Sequence, residues 1–341
     1  MATLKDIAED AHVSTATVSM VLNNKGNISE ITKEKVNSSL RKFNYKKKLS
    51  HQLSINNNHK TIKFLRISKH GHVVNRDHDV FIADYLDGLT KGADTYGLKL
   101  EVNSYTKVSI EHIVESVLGD NHNIDGAVIL ATELTEEDMK EFLKVNIPLV
   151  FIDNYNEFLP FDYVDMDNSS SIHMVYNSIK QNGYNDIGFI TGYPEIANFK
   201  LRKEAYLADL SKDNKKPYII SVDSTHTGAY EDMKRIIKEL NSNLMPIYIC
   251  ANDIIALGAM RALTECGFKV PQDVALVGFD NLPIATQLYP SLSSVEVSKR
   301  KIAHFAVQTL YERIKKPNLP NVRILVGGKF IKRESISSIY E

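Results

Sequence analysis

The sequence predicts an all-α amino-terminal unit of three short helices, a linker, and an α/β core of two doubly wound parallel-sheet lobes. Two observations support this fold class. Apolar residues recur at helical spacing near the amino terminus, and from residue 61 strand-like apolar runs alternate with amphipathic helical stretches. We place the boundaries at residues 1–45, 46–60 and 61–341, because a chain of this length can bury two or three separate cores.

The first predicted helix has one apolar face and a polar start. Thr3 is placed to cap it, and Asp6 follows three residues later in a capping-box arrangement. The apolar face is formed by Leu4, Ile7, Ala8 and Ala11.

The second predicted helix begins at Thr15 after a tight turn, with Ser14 as its cap. Its inward face carries Val18, Val21 and Leu22. A helix with small and polar residues on its outer face can enter the DNA major groove closely and reach base edges with its first turn. That outer face here consists of Thr15, Ala16, Ser19, Met20 and Asn23.

A third predicted helix completes the unit. Ser29 or Thr32 caps it, and its core stripe is Val36, Leu40 and Phe43. Three short helices sharing one core form the minimal helix-turn-helix domain. Periodicity alone leaves a generic three-helix bundle open as the alternative.

The charge is divided unevenly along the chain. Residues 1–60 hold 10 Lys and Arg against 5 Asp and Glu, whereas the remainder has a net charge of −6. A basic end on an acidic body favours a polyanion-binding module, and a solvated charged surface is the other interpretation.

Several features favour a cytoplasmic protein that makes no membrane contact. No apolar run approaches the roughly 20 residues that span a bilayer, and the amino terminus has no signal-peptide apolar region. Cys250 and Cys266 lack metal-type spacing, so we expect both to be reduced and buried.

The core contains two successive sets of predicted strands, in residues 61–164 and 165–296. Glycines at 97, 183 and 267 stand where helices are expected to end. Alternation of strands and helices predicts parallel sheets covered on both faces. The predicted strands are 62–67, 98–102, 126–130, 148–152, 187–191, 218–222, 247–251 and 274–278.

Polar residues follow three of these strands directly. Asp153 follows one, Asn252 and Asp253 follow another, and Asp280 follows a third. Ligands of such sheets bind outside the carboxyl ends of the strands, so we expect these side chains to converge on a cleft between the lobes. Each of them taken singly could instead be a helix cap or a turn residue.

The amino-terminal motif resembles the headpiece of the lactose/galactose repressor (LacI/GalR) family. The resemblance rests on Thr3-Leu4-Lys5-Asp6-Ile7-Ala8 and on the run from Ala11 to Asn23, with Tyr45 closing the third helix. It implies that Thr15 and Ala16 read bases and that Thr17 and Ser19 contact phosphate or support the helix. Met20 cannot donate a hydrogen bond to guanine, so it favours an apolar contact such as a thymine methyl.

The linker departs from the pattern of this family. Family members carry a proline and an Ala-Arg pair before a leucine that wedges into the minor groove. This chain has neither; Leu53 lies beside the expected leucine position and is spaced i,i+4 from Leu49. A short helix and a flexible polar tether both remain open. With the lysines at 46–48 available to neutralise phosphates, the predicted DNA-binding residues are Thr3, Ser14, Thr15, Ala16, Thr17, Ser19, Met20, Asn23, Tyr45, Lys46, Lys47 and Leu53.

The core resembles the same repressors. The matching segments are Ala251-Asn252-Asp253, Val277-Gly278-Phe279-Asp280-Asn281 and Leu292-Ser293-Ser294-Val295. The resemblance implies a periplasmic-binding-protein-like core whose chain crosses between lobes near residues 164, 296 and 326. The first lobe would then comprise residues 61–164 and 297–325, and the second 165–296 and 326–341.

The resemblance also implies an effector cleft lined by Asp153, Arg202, Asn252 and Asp280. This set suits a sugar, because carboxylates accept bonds from adjacent hydroxyls while Arg and Asn complete a directional network. The chain has no Trp. The apolar face of the sugar would therefore be covered by Phe81, Tyr193 or Phe199. Each of these could instead be a core or rim residue. Phe81 and Tyr193 are included in the predicted effector-binding set.

These observations predict a homodimeric, non-enzymatic regulator that binds a near-palindromic DNA operator and responds to a sugar. A repressor is favoured over an activator. The headpiece opening and the Tyr45-Lys46 ending look most like regulators of galactoside use. No cofactor is predicted, and the His- and Asp-rich loop at 70–79 has a composition common in polar loops, so no metal is predicted either. A solute-binding protein and a regulator controlled by a partner protein are the alternatives.

Overall fold

The computed structural model describes residues 4–22, 28–43, 60–71, 79–119, 123–240 and 243–337. They belong to two compact units that meet in sequence between Asn56 and Asn57. The predictions for Thr3, Asn23, Tyr45, Lys46, Lys47 and Leu53 lie outside the described residues.

The described residues of the first unit form three helices: α1 (Leu4–Asp10), α2 (Thr15–Leu22) and α3 (Glu30–Lys42). Ser14 and Ser29 accept hydrogen bonds from the backbone N–H groups of Thr17 and Thr32, which confirms Ser14 as the cap of α2 and selects Ser29 for α3. The shared core consists of Ile7, Ala8, Ala11, Val18 and Val36.

A polar link joins the first and third helices of this unit. Asp10 on α1 accepts hydrogen bonds from Ser39 Oγ at 2.7 Å and from Lys42 Nζ, both on α3. The expected core stripe of α3 ends at Leu40, because Phe43 lies one residue beyond the helix and is 37% exposed.

The first lobe of the core is a six-stranded parallel sheet in the order β11-β5-β4-β3-β1-β2. Its strands are β1 (Thr61–Ser68), β2 (Lys99–Thr106), β3 (Gly126–Leu130), β4 (Leu149–Ile152), β5 (Asp162–Met166) and β11 (Arg323–Val326). Helices α4 (Asp79–Tyr96), α5 (Ile110–Val117), α6 (Glu136–Glu141) and α11 (Lys299–Lys315) belong to this part of the core.

The second lobe repeats the architecture in the order β12-β10-β9-β8-β6-β7. Its sheet is parallel except for β12, which pairs antiparallel with β10. The strands are β6 (Ile187–Tyr193), β7 (Ile219–Asp223), β8 (Ile247–Cys250), β9 (Ala275–Asp280), β10 (Ser293–Glu296) and β12 (Lys329–Ile331); the helices are α7 (Asn168–Gln181), α8 (Ala197–Lys212), α9 (His226–Glu239) and α10 (Asp253–Glu265).

The chain crosses between the two sheets three times: after β5, between β10 and α11, and between β11 and β12. The predicted fold class is therefore confirmed, with two doubly wound lobes following the helical unit. In each lobe the central strand order has the reversal point at which such sheets bind ligands. Among the cysteines, Cys250 is buried as expected, whereas Cys266 is only partly covered.

Candidate functional site

A cavity lies where the carboxyl ends of strands from both sheets meet. Its volume is about 30 Å³, and one water molecule needs about 10–15 Å³ on this measure. A sugar-sized ligand therefore requires the lobes or the lining side chains to move apart. The lining consists of Phe81, Ile82, Thr132, Asp153, Ile196, Asn198, Phe199, Arg202, Asn252 and Asp280.

Asp153 directly follows β4 and faces the cavity from the first lobe. Its φ of 66° is unusual for a residue other than glycine. Its carboxylate accepts hydrogen bonds from Tyr85 Oη at 3.0 Å and from Thr132 Oγ1 at 2.5 Å. Burial raises the pKa of Asp153 to about 6, although both of these bonds oppose the increase.

Arg202 on α8 is the cationic side chain of the lining and is 2% exposed. Its guanidinium stacks on Phe279, with Cζ 3.6 Å from the ring centroid. Nη2 lies 3.6 Å from Asp280 Oδ1. In addition, Nε donates to Asn168 Oδ1, Nη1 donates to the Ala251 carbonyl, and Nη2 donates to Met166 Sδ. Protein acceptors thus already occupy much of the donor capacity of Arg202.

Asn252 and Asp280 complete the predicted polar set from the second lobe. Asn252 lines the cavity and also caps α10, because its side chain accepts the Ile255 N–H at 2.9 Å. Asp280, the last residue of β9, has a φ of 105°. Phe81, Asp153, Arg202, Asn252 and Asp280 therefore lie together around one cavity.

The expectation for Tyr193 is not met. Tyr193 is the last residue of β6, is 44% exposed and is not among the lining residues. Its hydroxyl donates to Asp232 Oδ2 on α9 at 2.5 Å. Phe81 and Phe199 are the aromatic residues of the lining.

Thr132, Asn198, Ile82 and Ile196 line the cavity but were not predicted. Two of them left a signal in the sequence. Thr132 comes two residues after the correctly predicted strand 126–130, and Asn198 stands four residues before Arg202 and so shares its helix face. Asn198 donates from Nδ2 to the Asp153 carbonyl at 3.3 Å, which links the two lobes directly.

Two further buried carboxyl groups surround this polar set. Asp165 on β5 is fully buried, and burial together with the charge of Asp153 raises its pKa well above the ordinary value. Burial and the charge of Asp280 raise the pKa of Asp253 to about 7. Four buried carboxyl groups thus face the charges of Arg202 and Lys299, so the environment favours hydrogen-bond donors over anions.

The outer face of α2 is the candidate nucleic-acid interface. Thr15 is exposed and Met20 is 47% exposed. Thr17 is partly buried, and its hydroxyl lies 2.9 Å from Ser14 Oγ, so it supports the turn. Ala16 and Ser19 lie within the same helix. By sequence, this face carries no charged residue and its side chains are mostly small. Such a surface can approach base edges closely.

Neither a membrane span nor a metal cluster occurs among the described residues. None of the helices there is long and apolar enough to cross a membrane. Within the same ranges, no three His, Cys, Asp or Glu side chains are grouped so that they could hold a metal ion.

Comparison with known proteins gives two family matches. Residues 3–48 match the model for bacterial regulatory proteins of the lacI family. Residues 177–336 match the model of a periplasmic binding protein-like domain. The two matches fall on the helical unit and on the α/β core respectively.

Individual relatives match along nearly the whole chain. The HTH-type transcriptional repressor PurR of Glaesserella parasuis serovar 5 (strain SH0165) is 27% identical over 325 residues, which covers 93% of this chain and 92% of the relative. The ribose operon repressor of Halalkalibacterium halodurans is 26% identical over 337 residues, covering 98% and 97%. The crystal structure of the lac repressor dimer bound to operator and the anti-inducer ONPF superimposes with a TM-score of 0.72 at 21% identity, covering 98% of both chains. The chain thus combines a region that matches the lacI family of bacterial regulatory proteins with a periplasmic binding protein-like domain, and it is similar to LacI-family repressors along nearly its whole length.

Proposed function

We propose that this protein is a transcriptional repressor whose affinity for a DNA operator is controlled by a small, neutral, polyhydroxylated effector bound between the core lobes. The observation that carries the proposal is the convergence of Asp153, Arg202, Asn252 and Asp280 on one interlobe cavity in a chain that begins with a helix-turn-helix unit. The names of the relatives, a PurR repressor and a ribose operon repressor, support the choice of repressor.

The electrostatics of the cavity support a neutral effector. Two carboxylates, those of Asp153 and Asp280, and one guanidinium belong to the lining. Arg202 already donates to three protein acceptors, so a phosphate would have to displace those bonds and also approach two carboxylates. Hydroxyl groups avoid this conflict, because each carboxylate oxygen can accept more than one hydrogen bond.

On the DNA side, we propose that α2 lies in the major groove and that a homodimer presents two such helices to a near-palindromic site. Half-sites about one helical turn apart fit this arrangement. Thr15 and Ala16 would read bases, and Met20 would contact an apolar edge such as a thymine methyl.

Selection from a random duplex library with the purified full chain tests the DNA claim. We expect an enriched near-palindrome that the variant Thr15→Ala/Met20→Ala no longer prefers. Selection of no sequence at low salt, with and without sugars, would contradict the regulator proposal.

Thermal-shift screening tests the effector claim with D-ribose, D-galactose, a galactoside, their phosphate esters and free nucleobases. A neutral sugar should stabilise the protein, and its phosphate ester should not. That sugar should then change operator affinity by about 5- to 150-fold, the usual range of allosteric coupling.

The variant Asp280→Ala locates the effector within the cavity. We expect it to lose the sugar response while keeping operator binding, because Asp280 lines the cavity of the core. Asp186→Ala is the matched control, since Asp186 pairs with Lys215 on the surface. A normal response by Asp280→Ala would place the effector elsewhere. Operator control with no response to any compound would favour a partner protein as the signal.

A further inference from the structure

A buried lysine stands at the second crossing between the lobes. Lys299 is the first residue of α11 and is 5% exposed. Its Nζ donates to the main-chain carbonyl of Asp280 at 2.8 Å and lies 4.9 Å from the centroid of the Phe81 ring. One ammonium group therefore contacts a cavity residue from each lobe.

The carbonyl that Lys299 holds belongs to a strained turn. Asp280 has a φ of 105°, and such a value persists in a residue other than glycine only where the surroundings impose it. Asn281, with a φ of 48°, is in the left-handed region that asparagine tolerates. Bonds to Ser294 Oγ and Asp253 Oδ2 fix the N–H groups of Asn281 and Leu282. Lys299 donates to the Asp280 carbonyl. It therefore restrains the peptide group that joins Asp280, a cavity residue, to Asn281.

The same turn of α11 also contacts the first lobe. Arg300 forms ion pairs with Asp84 and Asp87 on α4, both at 2.9 Å. Gly88 lets the two helices approach closely, because a Cβ there would lie 2.5 Å from the Arg300 carbonyl oxygen. Because α4 and α11 are closely packed at Gly88, a displacement of Lys299 can reach α4.

We propose that Lys299 is a positioning residue that holds the Asp280 turn and couples it mechanically to the first turn of α4. The proposal rests on the proposed function only in that the cavity occupant would be the effector. The contact itself is a property of the core, and it can be tested without any ligand.

Hydrogen exchange of the full-length chain, read by mass spectrometry, tests the coupling. Lys299→Met keeps the apolar stem but leaves the Asp280 carbonyl without this donor. We expect about 10-fold faster exchange in peptides from both 279–284 and 79–86, as local opening becomes easier. Lys299→Arg retains a donor and a cation over Phe81, so it should keep most of the protection.

Arg300→Met is the matched control from the same helical turn. It removes the ion pairs to Asp84 and Asp87 but leaves the Asp280 contact in place, so only the 79–86 peptide should exchange faster. Wild-type protection of 279–284 in Lys299→Met would overturn the proposal, and so would equal loss in Lys299→Met and Lys299→Arg. Failure of every neutral sugar to bind would contradict the effector class, while the exchange data would still decide the role of Lys299.

Discussion

Asp253 is a fully buried carboxylic acid in the second lobe. It accepts hydrogen bonds from the Leu282 N–H at 2.7 Å and from Ser294 Oγ at 2.6 Å. Gly278 leaves room for it, since a Cβ at that position would lie 2.1 Å from Asp253 Oδ1. Burial first, and then the charge of Asp280, raises the pKa of Asp253 to about 7 from the ordinary 3.8. A carboxyl group of this kind makes the folded state retain a proton that the unfolded chain releases.

The sign of the resulting pH dependence follows directly. Between about pH 4 and 7 the folded protein binds more protons than the unfolded chain, so the free energy of unfolding falls as the pH rises through this range. The difference between 3.8 and about 7 corresponds to at most about 4 kcal/mol. Asp253→Asn mimics the neutral acid, so its stability relative to wild type should increase as the pH rises from 4 to 8. Urea denaturation at several pH values measures this.

Ser294→Ala is the control for Asp253→Asn. It removes one hydrogen bond to the carboxylate but leaves the titrating group, so the protein should be less stable while its pH dependence persists. Parallel loss of stability in wild type and Asp253→Asn over pH 4–8 would mean that Asp253 does not titrate in this range.

Single residues differed in how far the sequence could predict them. Asp153 and Asp280 were predictable, because strand ends can be located from apolar runs and these ends meet at one edge of a parallel sheet. The rotamer that sends Tyr193 toward Asp232 depends on a partner 39 residues away, which no local pattern encodes. Lys299 was likewise missed as a functional residue, since a lysine at the start of an amphipathic helix normally indicates solvent exposure.

At the scale of elements, the close contact between α4 and α11 depends on a glycine in the sequence of α4. Gly88 faces the backbone of α11, because a methyl group at this position would lie 2.5 Å from the Arg300 carbonyl oxygen and 2.7 Å from Ala303 Cβ. For a methyl group at Gly92, one turn later, the three nearest atoms belong to the Val307 side chain, at 3.0–3.4 Å. A methyl group at Gly88 would thus clash with backbone, which cannot easily move, whereas one at Gly92 would contact a side chain that can shift.

Substituting each glycine with alanine should separate these two situations. Alanine gains up to about 1 kcal/mol of helix propensity, whereas overpacking against backbone costs about 1–3 kcal/mol. We expect Gly88→Ala to lower the free energy of unfolding by about 1–2 kcal/mol, and Gly92→Ala to be near neutral because Val307 can shift. Urea midpoints of the two variants provide the measurement. Equal effects would show that α4 and α11 are not closely packed at Gly88.

The elements that the sequence failed to predict share a physical cause. All eight predicted strands occur, and residues 126–130 match β3 at both ends. Strand β5 was missed because its sequence, Asp-Tyr-Val-Asp-Met, begins with a charge. That charge is tolerated through a bond formed far along the chain, where Arg313 donates to Asp162 from two nitrogens at 2.9 and 2.8 Å. Strands β10, β11 and β12 have only three or four residues, and unlike the equally short β4 and β8 they include polar or charged residues, so no continuous apolar run marks them.

At the scale of the whole molecule, each lobe provides part of the lining of the cavity. Asp153 and Thr132 come from the first lobe, and Arg202, Asn252 and Asp280 come from the second. Three chain crossings join the lobes. Two hydrogen bonds also connect them: Asn198 donates to the carbonyl of Asp153, and Lys299 donates to the carbonyl of Asp280. A ligand larger than the cavity of about 30 Å³ must alter this arrangement. If the proposed effector binds there, we expect its binding to change the relative orientation of the lobes.

The division of charge along the chain leads to a final prediction. The first 60 residues carry a net charge of +5, and the remainder carries −6. Operator affinity should therefore fall steeply with salt, with a log–log slope that loses about 0.9 for each phosphate contact removed. Replacing Lys46, Lys47 and Lys48 with Gln should flatten the slope by up to about 2.7 per headpiece. The matched variant with Gln at Lys200, Lys215 and Lys216, on the second lobe, removes the same charge and should leave the slope unchanged. Fluorescence anisotropy with the selected operator between 50 and 200 mM salt decides the matter, because equal slopes for the two variants would place the phosphate contacts outside the linker lysines.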